Sequence, residues 1–442
     1  MDARSICLED AHIVASADTP PSVGNLYVED DLIVAIEPQG SPLKAADEVL
    51  DCSHHVVMPG LANLHVHCRP GRAMNDGAPV PVWHKAVDEI ARSMKPEDAY
   101  VGGMVAYAEM LLAGVTSSLV MTRHFVHAAE AARDLGARSA VVPLAGNGGN
   151  ADNGALDRLD ESLQTIESTS QRTDDRVQLW PGFDSPLSTS LEGMRSVGAC
   201  AADNELGLHA HMAETEFEVN KFHERNDFFE AQAFEDAGLL LKRAVIAHCN
   251  WLEDGDEERF VRTGASVVHN PSSNMKFASG ICEAIHLRDA GVRVVLGTDG
   301  MLSNFYLNMF EAMRAALMLQ RSHARDAAIL TSADVFDMAT AQGAGLMKDR
   351  VGKLEEGWTA DITVLDMSGI HLQPYVRGPI NDKDLLNLIV WCGRPSDVEH
   401  VICDGKIVVK DRSLTAKRRE DICEASVAVD RRLRPRINHA GN

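Results

Sequence analysis

The sequence predicts an α/β chain: a (β/α)8 TIM-type barrel with a small β-sandwich domain built from both chain ends. Eight short apolar runs alternate with helical stretches between residues 59 and 351, which is the repeat such a barrel requires. Short strand-like segments with Gly and Pro turns fill residues 1–58 and 352–411. The hydrophobic share of 45% and charged share of 24% are those of an ordinary globular chain. At 442 residues it buries a large core without staples.

In chain order, Ile13–Ala15, Leu26–Val28 and Leu32–Ile36 read as the first terminal strands. The barrel runs are Leu61–His67, Val115–Met121, Ser139–Leu144, Val177–Phe183, Leu206–Met212, Ala244–Cys249, Ala265–His269 and Val292–Leu296. Pro96–Leu112, His124–Leu135, Leu307–Leu319 and Ser332–Met347 carry helical spacing between or after them. Asp361–Asp366 and Val398–Lys410 return to strand character, the latter with an Asp404-Gly405 hairpin turn. The Arg- and Lys-rich residues 412–442 read as a solvated helix with a frayed end. A doubly wound sheet takes second place because no GxGxxG follows an early strand. Asn147–Asn153 reads as a plain loop.

Lys and Arg number 42 against 65 Asp and Glu, a formal net charge of −23. So acidic a surface repels phosphates, so neither nucleic acid nor an anionic membrane is an expected partner. The 9 cysteines are scattered without a CxxC pair, which fits free thiols in a reducing compartment. No signal-like apolar core follows Met1, and no run reaches the roughly 20 apolar residues of a membrane helix. A soluble, cytoplasmic protein is expected, as a homo-oligomer.

His65-Val66-His67 ends the first run, and residues two apart on a strand share a face. Both imidazoles therefore point to the C-terminal mouth, where sites of this fold lie. His209 and His211 repeat the pattern at the fifth run, with His211 nearer the mouth and His209 read as a buried, hydrogen-bonded core histidine. Glu214 lies just beyond. His248 ends the sixth run and Asp299 the eighth; a carboxylate after Val294-Val-Leu is costly unless paired or metal-bound. Imidazoles plus one carboxylate suit a divalent transition metal such as zinc or iron.

Ordered blocks across nearly the whole chain resemble the amidohydrolase superfamily, in its branch of adenosine-derivative, guanine, cytosine and triazine hydrolases. They are Met58–His67, His211–Glu214, Ala247–Cys249, His269–Lys276, Gly297–Gly300, Ala339–Ala344 and Val351–Asp361. The resemblance implies that His65, His67, His211 and Asp299 hold one divalent metal, with Zn2+ ahead of Fe2+. It makes Glu214 the proton shuttle, gives Asp299 a second, catalytic part, and makes His248 the group that orients water and substrate. No lysine lies between Lys95 and Lys221, so the fourth strand lacks the carboxylated lysine of two-metal relatives.

The implied activity is hydrolytic deamination of an N-heterocyclic base or triazine-like ring. The alternatives are displacement of chloride or alkylamine from a triazine, and deamination of an S-adenosylhomocysteine- or methylthioadenosine-type nucleoside. A non-enzymatic scaffold is disfavoured because every metal ligand is kept. The nucleoside is disfavoured because Glu89-Ile-Ala-Arg92 does not match the Pro-x-Glu that nucleoside relatives use for ribose. Trp83 is a candidate platform for a flat ring, with ordinary packing as the alternative. For Arg69 and Arg72, in the same connection, surface solvation is set against contact with a substrate oxygen.

Overall fold

The apolar runs become parallel strands whose polar tips gather at one end. The computed structural model describes residues 5–72, 77, 80–147, 156–169, 176–375 and 382–437. Leu61–Val66, Val115–Thr122, Arg138–Pro143 and Val177–Leu179 form one parallel sheet. Gly182–Phe183, Leu208–Met212, Ala244–His248, Ser266–His269 and Arg293–Leu296 form a second. Most of these strands are buried along their whole length. Strands with both faces covered read as continuous apolar runs, which is how they appear in the sequence.

The fourth run is not one strand. Pro181 offers no N–H to a ladder, so the run breaks at Trp180-Pro181 and shares itself between the two sheets. The Trp180 amide donates to Val141 O at 3.0 Å and the His209 amide to Pro181 O at 3.2 Å. The opposite seam is bridged where the Asp299 amide donates to His65 O at 2.9 Å. At the fourth-run seam Gly182 is required, since a Cβ would lie 2.1 Å from His209 O.

The two chain ends share a nine-stranded sheet, joined where Ile362–Asp366 runs antiparallel to His55–Pro59. Its first strand is Ser5–Ile13, longer and earlier than the Ile13–Ala15 expected. A bulge between Leu8 and Ala11, with Asp10 at φ 55°, breaks the alternation that would have marked it. Arg138, 1% exposed, ties this sheet to the barrel through Asp361 (3.1 Å) and Asp404 (2.7 Å).

The tail helix Arg419–Ile437 corrects the reading of a solvated end. Ile422, Val429 and Leu433 recur on one helical face and are buried, the last two packing with Trp83 and Val87. Its basic composition masked that stripe. Beyond Asn147, the Asn147–Asn153 loop falls outside the described residues, as do residues 438–442. All nine cysteines are free. Among the described residues no helix is long and apolar enough to cross a membrane.

Candidate active site

Strand ends one, five, six and eight bring His65, His67, His211, His248 and Asp299 together. The His67 and His211 Nε2 atoms are 3.1 Å apart. Asp299 Oδ1 lies 3.7 Å from both His65 Nε2 and His67 Nε2. The His248 ring stands 5.3 Å from that of His65 and 5.5 Å from that of His211, centre to centre. Gly297 and Gly300 permit this closeness, because a Cβ on either would meet the His65 or His67 side chain within 2.9 Å.

Hydrogen-bond polarity fixes which ring nitrogens carry protons. A carbonyl oxygen only accepts, so His67 Nδ1, 2.9 Å from Met121 O, is an N–H. His211 Nδ1 donates to Asp184 O, and His209 Nδ1 to Val245 O, by the same argument. Burial holds His209 at a pKa of about 3, so its Nε2 is a bare lone pair. That lone pair is 2.8 Å from His65 Nδ1, which must therefore donate. Burial and the neighbouring imidazoles keep His65 far below the usual histidine range; burial does the same for His67 against the opposing pull of Asp299. The unprotonated Nε2 atoms of His65 and His67 thus face the Asp299 carboxylate, with His211 Nε2 beside them.

Among the described residues His65 Nε2 is buried without a hydrogen-bond partner, and His65, His67 and His211 offer ring nitrogens that lie within 4.8 Å of one another. Such a donor set, with every opposite ring nitrogen anchored on a carbonyl or a further histidine, fits a divalent cation. Asp299 is held below the ordinary carboxylate range despite its burial, with the Ser273 hydroxyl among the groups that lower it. Ser273 Oγ donates to Asp299 Oδ2 at 2.5 Å, and the Gly300 amide to Oδ1 at 2.6 Å.

Glu214 sits half-buried three residues past His211, and burial pushes its carboxyl up to about 7. The Ala213 backbone before it is left-handed, φ 51°, and its amide donates to Glu230 Oε2 at 2.6 Å. Trp83 packs edge-on against Phe277 at 4.8 Å and is 8% exposed within an apolar cluster. It is a packed wall, not an open platform. Arg72 is not simply solvated: it pairs with Glu109 and donates to Phe305 O at 2.6 Å, tying two mouth loops together. Arg69 Nε is buried without an acceptor among the described residues.

Sequence reasoning missed the carboxyls behind Glu214. Glu218 donates its amide to Thr215 Oγ1 at 3.1 Å and accepts from Ser185 Oγ. Burial, then the Glu214 charge, raises Glu218 to about 7. A carboxyl raised on folding favours the folded state below its unfolded pKa, and that stability is lost as pH rises through about 7. Glu218→Gln should therefore lose less Tm than the parent between pH 5.5 and 8.5, checked by calorimetry on metal-loaded protein. Equal losses would show that Glu218 is not the responsible group.

Comparison with known proteins places this geometry. The amidohydrolase family pattern matches residues 56–408. A 5'-deoxyadenosine deaminase of Methanothermobacter thermautotrophicus is 32% identical over 435 residues, covering 97% of this chain and 98% of that protein. A 5-methylthioadenosine/S-adenosylhomocysteine deaminase of Thermococcus kodakarensis is 32% identical over 412 residues, 92% of this chain and 94% of its own. The crystal structure of an adenosine deaminase from Xanthomonas campestris with bound zinc superposes with a TM-score of 0.89 at 25% identity, covering 97% of this chain and 98% of that one. The chain belongs to the amidohydrolase family.

Proposed function

We propose that the protein is a metal-dependent hydrolytic deaminase of a 6-aminopurine nucleoside of the 5'-deoxyadenosine or methylthioadenosine type. The observation that carries the chemistry is the convergence of the His65, His67 and His211 rings, with Asp299 3.7 Å from the first two and a carboxyl raised to about 7 beside them. His65, His67, His211 and Asp299 would hold a single divalent ion, zinc ahead of iron. No lysine is available on the fourth strand for a second. Such an ion, when bound, makes water nucleophilic at neutral pH.

The protein's own groups do the rest. Asp299 takes up the proton that water gives as it adds to the ring carbon bearing the amine. Glu214, poised near neutrality, protonates the adjacent ring nitrogen, takes the hydroxyl proton of the adduct as the C=O bond forms and passes it to the departing amine as the C–N bond breaks. Asp299 then returns its own proton to Glu214. Without that proton the leaving group would be amide ion. His248 orients water and substrate.

Among the substrates left open by the sequence, the relatives weight the nucleoside. Stacking of a free ring on Trp83 is also disfavoured, because Trp83 is packed against Phe277. Ammonia release should be at least about tenfold more efficient, as kcat/KM, with 5'-deoxyadenosine or methylthioadenosine than with adenine, guanine, cytosine or an amino-triazine. A free base or triazine ahead of the nucleosides would reverse the substrate assignment. Ammonia from none of them would reject deamination.

A further inference from the structure

Between His248 and Glu214 runs a chain of two buried asparagines. His248 Nδ1 is 2.9 Å from Asn274 Oδ1. Asn274 Nδ2 donates to Asn250 Oδ1 at 2.7 Å, and Asn250 Nδ2 donates to the backbone carbonyl of Glu214 at 2.8 Å. Asn274 is 1% exposed and Asn250 9%. Neither residue was singled out from sequence, although both lie within or beside family-like blocks, Ala247–Cys249 and His269–Lys276.

We infer that Asn250 and Asn274 are positioning residues that fix His248 in the Nδ1–H tautomer, reading out a polarity set by the Glu214 carbonyl. One group in this chain cannot be reversed. A backbone carbonyl only accepts, so the Asn250 atom facing it must be the amide nitrogen. Asn250 therefore presents its oxygen to Asn274, which must answer with nitrogen. Asn274 is left facing His248 with its oxygen. An oxygen acceptor against Nδ1 requires Nδ1 to carry the proton, so in the neutral ring the lone pair is on Nε2. Flipping either amide sets two oxygens, or two N–H groups, against each other in a buried place, where an unmade hydrogen bond is expensive.

The consequence bears on the reaction, and in that respect rests on the deaminase reading above. With Nε2 bare, His248 accepts a hydrogen bond from water or from an N–H of the substrate; with the other tautomer it would donate. The same chain anchors the segment carrying Glu214. The Asn250 amide donates to Ala213 O at 2.9 Å, so the shuttle and the orienting histidine are registered to one strut. Losing Asn274 frees His248 alone. Losing Asn250 disturbs both ends.

The test is nitrogen-15 NMR of histidine-labelled, zinc-loaded enzyme, with His248 assigned by its loss in His248→Gln. The expected parent spectrum has a protonated, pyrrole-type Nδ1 and a pyridine-type Nε2 for His248. Asn274→Leu, which removes the acceptor, should populate the Nε2–H tautomer and lower kcat by about 10², with KM changed less; a wrong tautomer costs up to about 10⁴ in hydrolases that depend on one. Asn274→Asp restores an acceptor and should restore the Nδ1–H signature. Zinc content should be unchanged throughout. A parent spectrum with unprotonated Nδ1 overturns the inference, and so does an Asn274→Leu enzyme with parental tautomer and kcat. The spectra read the tautomer even if no nucleoside is deaminated, so failure of the deaminase reading is separately visible.

Discussion

Glu214→Gln leaves zinc content and fold as in the parent and lowers kcat on an aminopurine nucleoside by at least about 10², the lower end for a general acid–base group. The expectation follows from three features. Glu214 lies beyond His211 on a left-handed turn, near the metal site without belonging to the convergent donor set. Burial brings its carboxyl to about 7, where it both gives and takes a proton readily. Glutamine matches its size but cannot relay a proton to an amine. On a 6-chloropurine nucleoside the same variant should lose less, since chloride departs without a proton. Steady-state kinetics on both substrates checks the pair. Near-parental kcat on the amine substrate would remove Glu214 from the shuttle role and favour displacement of groups such as chloride.

His65→Ala and Asp299→Ala should each strip the metal and cut activity by at least about 10³, since a divalent ion contributes several kcal/mol of transition-state stabilisation. His65 is fully buried, with one ring nitrogen held by His209 and the other without a hydrogen-bond partner among the described residues. Removing it deletes a candidate donor whose orientation is already set. Asp299 lies beyond the last strand, on a segment held by Gly300, Ser273 and Ser303, so its loss leaves the barrel core beneath intact. Elemental analysis and far-ultraviolet circular dichroism check both. A His65→Ala protein with parental metal content would show that the ion sits elsewhere.

The barrel was legible because two-sided burial writes itself as apolar runs, and the site because histidines recurred at the ends of those runs. Each of the eight runs holds a strand, within about two residues at either end for seven of them. Only the fourth is interrupted, at Pro181. What stayed hidden depends on partners distant in sequence. The tautomers of His65 and His67 are set by His209 and Met121 O, contacts that only folding creates. Asn250, Asn274, Glu218 and Glu230 look like loop or helix-surface residues until the turns after strands five to seven stack them behind the catalytic groups. Trp83 could be placed in the first long connection but not oriented, because the tail helix that packs with it lies more than 300 residues away.

The most direct test of hydrolytic deamination is to incubate zinc-loaded protein with 5'-deoxyadenosine in heavy-oxygen water, measuring ammonia and the mass of the purine product. The expected result is one ammonia for each hypoxanthine nucleoside formed, with the new ring oxygen drawn from solvent and the glycosidic bond intact. Free adenine as the product, or no ammonia at all, would contradict it.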